Sequence, residues 1–131
     1  MSPFVYVDTS VVLAAVRAEA AAVSAEYWAQ PLLVASALTE FERWFRLHAL
    51  GEAAERGPLA EAILANVALV GLPREIGARC RAPFPRPLRT LDALHLATAD
   101  HLRARGFQVR VATLDARLAE AALAMGFAVG L

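Results

Sequence analysis

Phe4-Val5-Tyr6-Val7-Asp8-Thr9-Ser10 is the stretch on which the reading of the chain turns. Four apolar residues with high strand propensity run directly into an aspartate and two hydroxyls. A short, unbroken apolar run of this kind predicts a strand buried on both faces, as in parallel sheets covered by helices. Asp8 then falls where the strand ends. In open α/β sheets, ligands bind outside the carboxyl ends of the strands. A carboxylate there is a candidate site residue; the alternative is that Asp8 merely caps the helix predicted over Val11–Val16. Thr9 and Ser10 are candidate caps of the same helix.

Outward from this stretch the pattern alternates. Ala18 to Gln30 predicts a second short helix, ended by Pro31. Leu32 to Ala35 is a second buried strand. Ser36 caps a helix from about Ala37 to Leu50, ended near Gly51, with Phe41, Trp44, Phe45 and His48 on its apolar stripe. Gly57-Pro58 predicts a break, followed by a helix from Leu59 to Asn66 and a strand from Ala68 to Leu72 stopped by Pro73. Arg74 to Arg89 predicts a helix in its first half and a loop through Pro83, Pro85 and Pro87. Thr90 is read as the cap of a long helix from Leu91 to Arg105, closed by Gly106. Val109 to Ala112 is a strand, Ala116 to Met125 a helix ended by Gly126, and Phe127 to Val129 the last strand. Apolar strands alternating with helices predict a three-layer α/β/α domain with a central, mainly parallel sheet of about five strands.

A chain of 131 residues has room for one domain with a real core and not for two, so residues 1–131 are read as a single domain. No segment approaches the roughly 20 uninterrupted apolar residues of a membrane span, and the start lacks the pattern of a secretory signal. Cys80 is the lone cysteine, which excludes an internal disulfide and sets a reducing, cytoplasmic compartment as the expectation. Thirteen basic residues balance 13 acidic ones, which argues against a polyanion binder held by net charge. Every basic residue is arginine, and the chain has only four aspartates: Asp8, Asp92, Asp100 and Asp115.

Asp8 and Asp115 both follow a predicted strand, and they meet if those strands are neighbours. Asp92 lies in the first turn of its helix, at the positive end of the dipole. Asp100 is eight residues on, about 12 Å along the helix, and is read as a surface or packing charge. Clustered carboxylates repel one another and raise their pKa values. A divalent cation relieves this, and oxygen ligands suit Mg²⁺ or Mn²⁺. Converging acids of this type point to metal-assisted phosphodiester chemistry. The arginine-rich stretch from Arg74 to Arg89 is either a solvated connector or a rim facing phosphates. Other α/β classes fit less well. A haloacid-dehalogenase-like phosphatase needs an aspartate where Ser10 stands, a response-regulator receiver needs a late lysine, and a dinucleotide site needs a glycine-rich first turn.

Four segments in order carry a resemblance: Val5 to Ser10, Ser36 to Glu42 with Arg46, Leu91 to Ala99, and Ala112 to Asp115. They resemble the motifs of PIN-domain ribonucleases, in particular VapC-type toxins of prokaryotic toxin–antitoxin pairs, over essentially the whole chain. The one departure is Leu114, where an aromatic is frequent. The resemblance implies a catalytic, metal-binding quartet of Asp8, Glu42, Asp92 and Asp115 around Mg²⁺ or Mn²⁺, with Thr9, Ser10 and Thr113 supporting it by hydrogen bonds. It also implies an RNA substrate, with Arg46, Arg86 and Arg89 as candidate contacts, a cognate antitoxin and a homodimer. The apolar residues Val12, Val16, Tyr27 and Trp28 are the candidate surface for these partners. Glu42 is favoured over Glu40 because it lies six residues after Ser36 and four before Arg46, and Arg46 is placed to pair with it. Glu40 has Arg43 at i+3, so a surface ion pair explains it. The alternative function is a non-catalytic PIN-like module that binds RNA or protein, which would show no Mn²⁺ binding.

Overall fold

The computed structural model describes residues 3–18 and 23–131. Along the chain run β1 (Phe4–Val7), α1 (Thr9–Val16), α2 (Ala25–Ala29), β2 (Leu33–Ser36), α3 (Leu38–Ala49) and α4 (Ala53–Leu64). There follow β3 (Ala68–Val70), α5 (Arg74–Cys80), α6 (Thr90–Ala104), β4 (Val109–Ala112), α7 (Ala116–Ala124) and β5 (Ala128–Val129). All strand pairs are parallel, in the order β3-β2-β1-β4-β5. The expected three-layer fold with a parallel five-stranded sheet is therefore present.

Side chains that alternate along the strands build two cores. Val5, Val7, Leu33, Ala35 and Ala112 pack on one face with Val11 and Val12 of α1, Leu47 of α3 and Ile63 of α4. Tyr6, Val34, Val109 and Val111 pack on the other with Leu96 and Ala99 of α6 and Leu118 and Ala121 of α7. Both faces are covered at the centre of the sheet, which is why β1 reads as an unbroken apolar run, whereas the edge strands β3 and β5 are partly exposed.

The chain builds β2 and β3 to one side of β1, then crosses back to place β4 and β5 on the other. Strand order thus reverses between β1 and β4, the position at which open sheets form a crevice. Val7 pairs with Ala112, and the Asp8 amide donates to the Ala112 carbonyl at 3.0 Å. The segments after β1 and β4 consequently leave the sheet side by side. Gly106 and Gly126 end α6 and α7 at φ 96° and 86°. In each case the next amide turns back to a helix carbonyl, Phe107 to Leu102 at 3.3 Å and Phe127 to Ala122 at 3.0 Å.

Several local expectations give way to packing. The chain does not break at Gly57-Pro58, because α4 runs through both. Pro58 deprives the helix of one N–H, yet Ala60, Ile63 and Leu64 are buried in the core and hold it in place. Gly57 lets α4 approach α3, since a Cβ there would stand 2.9 Å from the Trp44 ring. On α3 the predicted apolar stripe is not the inward face. Phe41 and Phe45 are 60% and 74% exposed, whereas Thr39, Arg43 and Leu47 are buried. Arg43 can be buried because Glu40 and Glu61 accept from its guanidinium at 2.6 and 2.7 Å. Val12, Val16 and Trp28 are likewise buried in the core and offer no partner surface. Thr90 is the first residue of α6 and Arg89 its N-cap, so Thr90 does not cap it. The helix expected over Ala18 to Gln30 is seen as α2 alone, and residues 19–22 lie outside the described residues. Among the described residues no helix is long and apolar enough to cross a membrane.

Candidate active site

A cavity of about 660 Å³ opens at the carboxyl ends of β1 and β4, and Asp8, Glu42, Asp92 and Asp115 all line it. Each acid comes from a different part of the fold: the end of β1, α3, the first turn of α6 and the N-cap of α7. Arg46 and Arg89 also line the cavity, as do Leu13, Leu50, Leu91 and Leu114.

Asp8 is 5% exposed, and its Oδ2 accepts from Ser10 Oγ at 2.6 Å and Thr113 Oγ1 at 2.8 Å. The same two hydroxyls accept from the chain beyond β4. Leu114 N donates to Ser10 Oγ and Asp115 N to Thr113 Oγ1, both at 3.0 Å. Ser10 and Thr113 therefore tie the end of β1 to the end of β4 through the carboxylate between them. This is also why Ser10 does not cap α1, whose N-cap Asp8 makes no side-chain capping bond either.

Thr9 turns the opposite way. Its hydroxyl donates to Glu42 Oε1 at 3.0 Å and lies 2.9 Å from the hydroxyl of Thr39. His95 Nε2 reaches the same Glu42 oxygen at 2.6 Å. The expected Glu42–Arg46 pair is not among the ion pairs of the described residues. Thr9 and His95 hold Glu42 instead, because the α3 face carrying Glu42 is turned to β1 and α6. Glu40 pairs with Arg43, as its position suggested. Asp115 accepts from Arg117 N at 2.9 Å and Leu118 N at 3.3 Å, both on Oδ1, and so caps α7.

Asp92 is held under both desolvation and like-charge repulsion. Burial, then the charges of Asp115 and Asp8, push its pKa above the ordinary carboxylate value, against the pull of His95 and Arg89. For His95, burial disfavours the imidazolium. The hydrogen bond that His95 donates to Glu42 and the charges of Asp8, Glu42 and Asp92 outweigh it and raise the pKa.

The remaining predicted residues fall outside the cavity. Arg86 pairs with Glu120 at 3.0 Å and borders a separate depression beside Cys80 and Pro83. Asp100 is clamped at 2.8 Å by both Arg79 and Arg103, tying α5 to α6. His95 is the site residue that reasoning from sequence misses. The available signal was its spacing: it lies three residues after Asp92, on the same side of α6.

The donor set suits a hard divalent cation, because it offers carboxylate oxygens and no thiolate. Asp8, Glu42 and Asp115 each commit one oxygen to hydrogen bonds. Among the described residues no hydrogen bond engages the other oxygen of each. Among the same residues, no three histidines, cysteines or acids form a closed ligand cluster. The acids border a shared space, close enough that Asp92 feels the charges of Asp115 and Asp8.

Fold and site together define an all-parallel α/β/α domain with an acidic cavity at its strand-order reversal. The sequence profile of the PIN domain matches residues 5–124, and the chain belongs to that family. Its fold is similar to a toxin–antitoxin complex from Klebsiella pneumoniae, with a TM-score of 0.61 and 18% identity, covering 85% of this chain and 86% of that one. It is also similar to VapC20 of Mycobacterium tuberculosis, a toxin that cleaves the sarcin–ricin loop, with a TM-score of 0.63 and 20% identity, covering 94% of this chain and 95% of that one. Comparison with curated proteins yields no match.

Proposed function

We propose that this chain is a metal-dependent endoribonuclease and the toxin of a toxin–antitoxin pair. The observation that carries this reading is the placement of four carboxylates from four parts of the fold on one cavity. Membership of the PIN domain family supports it, as does likeness in fold to an RNA-cleaving toxin. Asp8, Glu42, Asp92 and Asp115 would hold Mg²⁺ or Mn²⁺. The chemistry such a cation supplies is activation of a water and stabilisation of charge on the phosphate. Ser10 and Thr113 fix one oxygen of Asp8, and Thr9 fixes one of Glu42, leaving the second oxygens for ligation. Arg46 and Arg89 line the same cavity and would meet phosphates that flank the scissile bond. Cytoplasmic location, a homodimer and a cognate antitoxin complete the reading.

Purified protein freed of inhibitor should cleave structured RNA with Mg²⁺ or Mn²⁺ and stop on addition of EDTA. Asp8→Asn should lower cleavage about 100-fold or more, since metal-based charge stabilisation supplies several kcal/mol. A folded Asp8→Asn protein with undiminished activity would reject the proposal. Calorimetry showing no Mn²⁺ uptake by the native protein would favour the binding module instead.

A further inference from the structure

The polar groups that support the acids fall into two sets. Ser10, Thr113 and Thr9 are hydroxyls beside the strand ends. The other set is a buried chain that reaches the cavity from inside the sheet. Tyr6 on β1 is 0% exposed and His95 on α6 is 1% exposed, so water does not solvate either side chain. Tyr6 Oη lies 2.7 Å from His95 Nδ1, and His95 Nε2 lies 2.6 Å from Glu42 Oε1. Three elements, β1, α6 and α3, are thereby joined by one line of hydrogen bonds.

We propose that His95, oriented by Tyr6, is the positioning residue for Glu42. The inference rests on the metal-site reading above and adds to it the group that sets the geometry of the second acid. An ionised Glu42 only accepts hydrogen bonds, so Nε2 of His95 carries the proton and donates. Nδ1 accepts from the Tyr6 hydroxyl in the neutral ring and donates to its oxygen in the imidazolium, while Nε2 donates to Glu42 in both. In either form Tyr6 fixes the angle of the ring. With Oε1 held by His95 and Thr9, the Glu42 side chain is locked about its last torsion, and Oε2 is the oxygen left for a cation. Loosening that lock spreads Oε2 over many positions and raises the entropic cost of ligation. Groups of this kind, which hold a ligating carboxylate without touching the metal, typically contribute 10–100-fold in metal affinity.

Mn²⁺ titration of the RNA-free protein, by calorimetry, gives a readout independent of turnover. His95→Leu removes the donor and should weaken Mn²⁺ binding about 10-fold or more. His95→Gln places an amide donor near the Nε2 position and should recover most of that affinity. Tyr6→Phe keeps the ring, removes only the hydroxyl, and should give a smaller weakening in the same direction. In a Glu42→Gln background, His95→Leu should have a much smaller effect, because its action runs mainly through Glu42, with Asp8 Oδ1 farther off at 3.7 Å from Nε2.

The proposal is overturned if His95→Leu weakens binding as much in the Glu42→Gln background as in the native chain, or if His95→Gln, though folded, recovers nothing. If His95→Leu does not fold, Tyr6→Phe decides, and unchanged Mn²⁺ affinity overturns the proposal. A failure of the metal-site reading looks different: Asp8→Asn and Glu42→Gln then bind Mn²⁺ as the native protein does.

Discussion

Asp92 shows at the level of one side chain how a site and a fold can pull in opposite directions. Its pKa is raised by burial and by the charges of Asp115 and Asp8. A carboxyl whose folded pKa lies above its unfolded value is ionised at neutral pH at a cost to the folded state. Asp92→Asn should therefore raise the thermal midpoint of EDTA-treated protein while abolishing cleavage. Added Mn²⁺ should stabilise the native chain and stabilise the variant much less, since a ligand that binds the folded state adds RT ln(1 + [L]/Kd). A lower midpoint for the variant in EDTA would show that Asp92 supports the fold through contacts that outweigh the repulsion. Asp8, Asp92 and Asp115 were legible in the sequence because each follows a strand or opens a helix, where ligands gather; Glu42, inside α3, was legible only through the family resemblance. His95 was not legible by the same logic. A histidine in an apolar helix reads as core, and its partner Glu42 is 53 residues away. The pairing arises only when α3 and α6 meet at the end of β1. Thr9 and Ser10 illustrate a related ambiguity: a hydroxyl just after a strand serves equally as a helix cap or as a carboxylate support. The approach of β4 to β1 selects the second role.

Among the elements, α6 carries both Asp92 and His95, and the Arg79–Asp100 ion pair ties it to α5. Asp100 is half-buried. Burial would raise its pKa, but Arg79 and Arg103 overcome this and lower it. A depressed folded pKa adds stability above the ordinary carboxylate value of about 3.9, and that stability is lost as the pH falls through the folded value. Asp100→Asn should thus cost about 1 kcal/mol at pH 7, or roughly 4 °C in the thermal midpoint. The difference between variant and native protein should shrink toward zero in acid, below the titration of Asp100. Denaturant midpoints at neutral and acidic pH measure this, and a pH-independent gap would assign the loss to packing. The helix most misjudged from sequence was α3, and the reason is physical. Periodicity picks out Phe41 and Phe45, but the inward face is chosen by what the neighbours can satisfy. Glu40 and Glu61 neutralise Arg43, so the ridge of Thr39, Arg43 and Leu47 packs inward and the phenylalanines stay outside. The α4 helix misleads in the opposite sense, since a Gly-Pro pair reads as a stop where burial beyond it keeps the helix continuous.

On the scale of the whole molecule, the order of elements was readable and the order of strands was not. Apolar runs that alternate with helical periods specify a covered parallel sheet. Which strand lies beside β1 depends on the direction of each crossover, and no local pattern encodes it. That direction places Asp8 next to Thr113 and Asp115, and it also separates the arginines that the sequence groups together. Arg89 and Arg46 border the acidic cavity, whereas Arg86 is turned away to Glu120. A chain with zero net charge has no long-range pull on RNA. Its affinity must come from a few local cations beside the carboxylates, where a phosphate is brought close enough to react. The salt dependence of binding distinguishes these arginines, because removing a side chain that neutralises one phosphate reduces the slope of log K against log salt by about one. Binding of a stem-loop RNA to Asp8→Asn protein, measured across a salt series, isolates binding from cleavage. Arg89→Gln and Arg46→Gln should each flatten the slope by about one and weaken binding of unrelated stem-loops alike. Arg86→Gln should leave the slope unchanged. If Arg86→Gln flattens it and Arg89→Gln does not, the RNA runs over the proline-rich loop after α5 and not across the mouth of the cavity. The strand end would then be approached from the opposite side.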